Sequence, residues 1–226
     1  RLLETKARAG LHRSRTVDLR RIPEIVGSRE HVAFADSAAV RSLTLPRDRE
    51  RLIPLDTARF RRILSLGFAR EANLPAGRAF ERELAGRVPE LETARLSPSS
   101  GDAAYQATLS RIRSADLVVL SVYLPPFERS GSVAPPEALR RLVGEATRAG
   151  TPVVLISFGN PYLLTDFPEL GTYLLVWGDE SVSQRAAARG LLGRVPITGK
   201  LPISLPPFHR RGEGLRRPRV ERTSSP

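Results

Sequence analysis

Two nearly uninterrupted apolar runs, Val153–Phe158 and Tyr173–Trp177, stand out in the hydrophobic pattern of the chain. Each is too short for a lone buried helix and rich in β-formers, which predicts strands covered on both faces. Arg61–Phe68 (RRILSLGF) and Ala115–Tyr123 (ADLVVLSVY) have the same character, and Thr93–Leu96 is a shorter fifth. Between these runs the apolar period becomes helical. Val32, Ala35, Ala39 and Ser42 recur three or four residues apart after Ser28, and Phe80 and Leu84 share a face after Pro75. Tyr105, Leu109 and Ile112 follow Asp102, and Leu139, Leu142, Val143 and Ala146 follow Pro136. Pro75 and Pro136 suit first helical turns, Asp102 a cap, and Gly150 a C′ position. Ser181 can cap a later helix ending near Gly193, with Gln184 completing a capping box. Leu201, Ile203 and Leu205 then alternate as a short strand, which Pro202 confines to a sheet edge.

Strand and helix alternate throughout, which predicts an α/β fold: a three-layer, open, mostly parallel sheet of about five to six strands with helices on both faces. The unit formed by 115–157 should cross over right-handed. The α/β domain is expected over 28–208. From His209 onward the chain is Arg, Gly, Pro and Ser without periodicity, and 209–226 reads as a disordered basic tail.

Charge alters this picture little. The net +12 is concentrated at the ends: residues 1–21 hold seven basic residues against two acids, and 209–222 hold six against two. The remainder carries only +3, and no basic helix with interleaved aromatics is present, so no nucleic-acid partner is expected. Only Lys6 and Lys200 are lysine among 36 basic residues, the skew of a GC-rich genome. There is no Cys, so disulfides and thiolate metal sites are excluded. There is no Met either and the chain opens at Arg1, which suggests a fragment lacking an N-terminal part. No apolar run reaches the ~20 residues needed to span a bilayer.

Ligands of open α/β sheets bind beyond the carboxyl ends of the strands. Three loops qualify: Gly67–Asn73, Leu124–Ser132 and Gly159–Thr165. The third is the most pointed, because Gly159 permits close backbone approach, Asn160 offers a two-way amide, and Tyr162 follows Pro161. Gly159, Asn160 and Tyr162 are therefore candidates for a substrate-facing or domain-facing loop, although turn chemistry alone accounts for Gly, Asn and Pro. Asp179-Glu180 invites reading as a carboxylate pair, but adjacent acids before a helix diverge and complement its dipole. Asp116 and Asp166 have no evident partner, and His31 reads as a capping or surface residue. Phosphate-loop, dinucleotide and nucleophile-elbow motifs are absent, and the three His lack acidic companions at metal spacing. Neither a metal nor an organic cofactor is called for, and no residue is assigned a catalytic role.

SFGNPYLL, the spaced W-G-D-E-S-x-S-Q-x-A-A-A-x-G-L-L-G and I-T-G-K-L-P-I-S-L-P resemble the C-terminal α/β domain of glycoside hydrolase family 3, β-N-acetylhexosaminidase type. R-L-L-x-x-K-x-R-A-G-L resembles the end of that family's last barrel helix, and S-R-E-H-x-x-F-A-D-S-A-A-V-R-S-L-T-L-P-R-D its helix leading into a Leu-rich strand. The resemblance implies that 1–27 is the linker from a (β/α)8 barrel of the same polypeptide. It also implies that the whole enzyme is a retaining glycosidase of β-linked N-acetylglucosamine, with a carbohydrate substrate and its catalytic groups on the barrel. In that family the nucleophilic Asp lies on the barrel and, in the hexosaminidase type, a His–Asp pair on a barrel loop serves as acid/base. Neither motif occurs here, so the chain alone is expected to be inactive, bracing or completing the site. A secreted or periplasmic bacterial setting is favoured over the cytoplasm. The reading from another class is a free-standing, non-catalytic ligand- or partner-binding α/β module.

Overall fold

The computed structural model describes residues 1–124 and 135–220. The chain divides into two compact units, Arg1–Ser37 and Ala38–Pro226, where the sequence reading had set a boundary at 27/28. The first unit contains α1 (Leu2–Arg8), a 3₁₀ turn at Leu19–Arg21, α2 (Ile22–Ile25) and the start of α3 (Arg29–Ser42). Ser28, expected to begin the helix, stands just before α3 with its hydroxyl accepting from the His31 N–H at 3.3 Å, and His31 itself is exposed.

The second unit continues with β1 (Thr44–Asp48), β2 (Arg62–Ala69), α4 (Arg78–Leu84), β3 (Glu90–Leu96), α5 (Asp102–Ser114) and β4 (Leu117–Tyr123). It ends with α6 (Glu137–Arg148), β5 (Val153–Phe158), α7 (Leu163–Asp166), β6 (Thr172–Val176) and α8 (Ser181–Leu191). The six strands form one sheet in the order β1-β6-β5-β4-β2-β3. Every pair is parallel except β1 with β6.

Strand alternation sorts the apolar side chains onto two faces. Ile63, Val119, Tyr123, Ile156, Phe158, Leu174 and Val176 pack with Phe80 and Leu84 of α4 and Ala186, Ala187 and Leu191 of α8. Leu64, Leu66, Phe68, Val118, Leu120, Leu155 and Leu175 pack with Tyr105 and Ile112 of α5, Leu139, Leu142 and Val143 of α6, and Leu163 of α7. This is the expected three-layer architecture, and each Leu or Ile so buried stabilises by about 1.5–3 kcal/mol.

The C-terminal expectations need correction. Residues 209–220 are not a structureless tail. Leu215 pairs with Leu45 of β1, Arg217 pairs with Ile197, and Val220 N donates to Gly193 O at 2.8 Å. The Arg217 guanidinium donates to the Asp48 carboxylate at 2.6 Å and to the Ile53 carbonyl at 2.8 Å. Asp48 also accepts from Leu52 N at 2.8 Å and Thr172 Oγ1 at 3.0 Å, with its side chain fully buried. One of the arginines that made the segment read as disordered, Arg217, is thus held by fixed acceptors. Nearby Arg47 donates to the carbonyls of Pro168 and Leu170 and lies 4.8 Å over the Phe208 ring. Burial lowers its pKa.

Smaller expectations also shift. Leu201 and Leu205 are buried, but 201–205 forms no strand: its backbone contacts with the chain that follows are isolated, Leu201 with Glu213 and Gly212 and Leu205 with His209. Gly77, not a residue beside Pro75, caps α4, and Gly101 precedes α5 with Asp102 already helical and making no side-chain cap. Glu180 occupies the N-cap of α8, so Ser181 and Gln184 do not form a capping box.

Candidate functional site

All five parallel strands end on the same side of the sheet. Strand order reverses at β2, which has β3 on one side and β4 on the other, the kind of switch point beside which open α/β sheets bind ligands. The loop after β2 (70–77), the loop after β5 (159–162) and the loop after β6 (177–180) lie at this end. The candidate loop Leu124–Ser132 after β4 falls outside the described residues apart from Leu124, as does Glu128 within it.

The predicted loop is built by its own polar groups. Gly159 has φ +99°, which only glycine adopts readily, and its N–H donates to Val176 O at 2.8 Å, extending the β5–β6 pairing. Asn160 is buried, and its side-chain oxygen accepts from Tyr162 N at 3.0 Å. Its backbone carbonyl accepts from the hydroxyls of Ser157 and Tyr173. Tyr162 alone of the three turns outward, at 39% exposure. Burial pushes the Tyr173 phenol well above the ordinary range, so it serves as a fixed donor.

Long-range pairings unmarked by any motif hold the other two loops together. Asn73 Nδ2 donates to Asp179 Oδ2 at 3.0 Å, tying the loop after β2 to the loop after β6. Gln184, fully buried on α8, accepts from Ala79 N at 3.1 Å and donates to Pro75 O at 3.3 Å and Asp179 O at 2.8 Å. Arg95 of β3 donates to Ala76 O at 2.9 Å and also to Asn73 O. Beneath these loops, burial raises the Glu81 carboxyl pKa, with the Arg95 charge acting the other way. Tyr123 stacks on Phe158 at 4.3 Å between centroids, and burial pushes its phenol far up. The buried hydroxyls of Ser121 and Tyr123 on the same face lack a hydrogen-bond partner of good geometry among the described residues.

The remaining acids have structural duties. Asp116 accepts from the N–H groups of Arg61 and Arg62 and from the Arg62 guanidinium, which lowers its pKa. Asp166 accepts from Arg140 at 2.9 Å. Both had seemed unpartnered, because their arginines lie 54 and 26 residues away in sequence. No cluster of three or more His, Cys, Asp or Glu stands ready for a metal among the described residues. No helix there is long and apolar enough to cross a membrane.

The strand order defines an open, mostly parallel α/β domain with a switch point at β2. The chain belongs to glycosyl hydrolase family 3, whose C-terminal domain model matches residues 21–221. A β-N-acetylglucosaminidase/β-glucosidase of Cellulomonas fimi is 25% identical over 216 residues, covering 90% of this chain but 37% of that protein. A Listeria innocua β-glucosidase solved with gluconolactone superposes with a TM-score of 0.73 at 23% identity, over 91% of this chain and 31% of its own. A fungal multi-domain β-N-acetylglucosaminidase superposes with a TM-score of 0.68 at 24% identity, over 86% of this chain and 21% of its own. The chain therefore spans between about a fifth and somewhat over a third of the length of these proteins.

Proposed function

We propose that this chain is the companion domain of a retaining glycosidase acting on β-linked N-acetylglucosamine, bracing or completing an active site on an N-terminal barrel of the same polypeptide. The observation that carries this reading is the pairing of near-complete coverage of this chain with 37% coverage of the Cellulomonas fimi relative, whose printed activity includes β-N-acetylglucosaminidase. The site geometry supports a bracing role. Retaining hydrolysis uses two carboxyl groups about 5–5.5 Å apart, whereas Asp179 is held by Asn73, Glu71 by Ser99 and Asp166 by Arg140. On this reading Gly159 and Asn160 shape the loop after β5, and Tyr162 is its contact with sugar or barrel.

The test begins with the coding sequence upstream of Arg1 and expression of the whole open frame. Nitrophenol release from chromogenic β-N-acetylglucosaminide and β-glucoside is then compared for that product and for this chain alone. Turnover of the N-acetyl substrate by the full frame only supports the proposal. Turnover by this chain alone, abolished by Asp179→Ala or Glu180→Ala, or an upstream frame without a barrel, would overturn it.

A further inference from the structure

At the end of the sheet opposite these loops, a cavity of about 340 Å³ opens where the chain enters β2 and where α8 ends. Its apolar wall is Pro54, Leu55, Leu192 and Val220, and its polar side is Thr57, Arg87 and Arg194. The wall is tightly assembled. Gly193 has φ +67°, and a Cβ there would come within 2.9 Å of both Pro54 Cβ and Val220 Cγ2.

Charges of both signs stand around it, and one of them is unpaired. Glu83 is shared between Arg189, at 2.9 Å, and Arg87, at 4.0 Å. Asp56 lines the cavity too, but its carboxylate accepts from the N–H groups of Ala58 and Arg59 at 2.9 and 3.1 Å, which fixes it in its own turn. Arg194 has no ion pair among the described residues and stands exposed at the cavity. Of the two guanidiniums that line the cavity, Arg87 is thus engaged by Glu83, while Arg194 is left without an ion-pair partner beside an apolar wall and the Thr57 hydroxyl.

We propose that this cavity binds a small amphipathic carboxylate, with its headgroup on Arg194 and Thr57 and its tail against Leu55, Leu192 and Val220. Pockets for small ligands combine an apolar lining with a few convergent polar groups in this way. Charge-assisted contacts from a guanidinium fix such a headgroup. At about 30 Å³ per water-sized group, the volume admits a ligand of about ten heavy atoms, the size of octanoate. The site is distinct from the strand-end loops, so it offers a second binding function whether or not the glycosidase reading stands.

Calorimetric titration of the chain with octanoate, octanol and acetate tests it. Octanoate should saturate at one site, weaken as salt is raised, and bind at least tenfold more tightly than octanol or acetate. Arg194→Gln should weaken octanoate at least tenfold while leaving the melting temperature of the free protein within about a degree, because that side chain supports no other group. Thr57→Val is a second variant that tests the headgroup pocket independently. Absence of saturation, equal binding of octanol, or octanoate affinity within twofold of wild type in both variants would overturn the proposal.

Discussion

Replacing Arg217 by alanine should destabilise the domain substantially, although Arg217 sits in a segment whose composition suggests disorder. The guanidinium covers an Asp48 carboxylate whose own side chain is fully buried, at 2.6 Å, and holds the Ile53 carbonyl at 2.8 Å. Removing one partner of a buried pair typically costs about 3–5 kcal/mol, because the other charge stays behind uncompensated. Asp48 keeps Leu52 N and Thr172 Oγ1 as donors, so the lower end, about 3 kcal/mol, is expected. For a domain of this size each kcal/mol shifts the melting temperature by about 2–4 °C, giving a fall of about 6–12 °C. Thermal unfolding followed by circular dichroism reads this directly. Asp48→Asn and the double variant complete a cycle in which the two losses should be less than additive. Truncation after Phe208 should cost at least as much, since it also removes the Leu45 and Ile197 pairings. An Arg217→Ala protein melting within a degree of wild type, or strictly additive losses, would refute the clamp.

Two further outcomes follow from the geometry. Gln184→Leu strands the Ala79 N–H and the Asp179 carbonyl and removes one of the two donors to Pro75 O, at about 1–3 kcal/mol for a buried unsatisfied group; amide exchange should accelerate first in loop 70–77, and unchanged protection there would rule out the staple. Hydrogen bonds from the Ser97 and Ser99 hydroxyls hold Glu71 down at about 2 from an ordinary 4.5, so its contribution is present above pH 4.5 and lost as pH falls towards 2. Glu71→Gln should flatten that part of the acid-unfolding curve, and a curve parallel to wild type would contradict the assignment.

Local signals were sufficient for much of this architecture. Val153–Phe158 was read to its exact bounds, and Arg61–Phe68 and Ala115–Tyr123 to within two residues, because a strand covered on both faces must be apolar at every position. The helices over 102–114 and 137–148 were equally plain, since each buries one stripe against the sheet. The turn chemistry of Gly159 and Asn160 was legible for the same reason: φ +99° and an Asn side chain closing on Tyr162 N are interactions within a few residues.

The tertiary structure decided the rest. Gln184 looked like half of a capping box, yet its amide reaches Pro75 and Ala79 more than a hundred residues away in sequence. Asp116 and Asp166 looked unpaired because an arginine's partner is set by which strands and helices meet, not by spacing. The segment from His209 misled most. Its Arg, Gly and Pro content signals a chain unable to bury enough apolar surface to offset ordering. In the fold Arg217 meets a buried carboxylate and the Ile53 carbonyl, and the backbone of Leu215 and Arg217 pairs with Leu45 and Ile197, so polar contacts made far away in sequence help to order the segment. A sequence displays its own hydrophobic period at every position, but acceptors waiting on another element exist only once the sheet has formed.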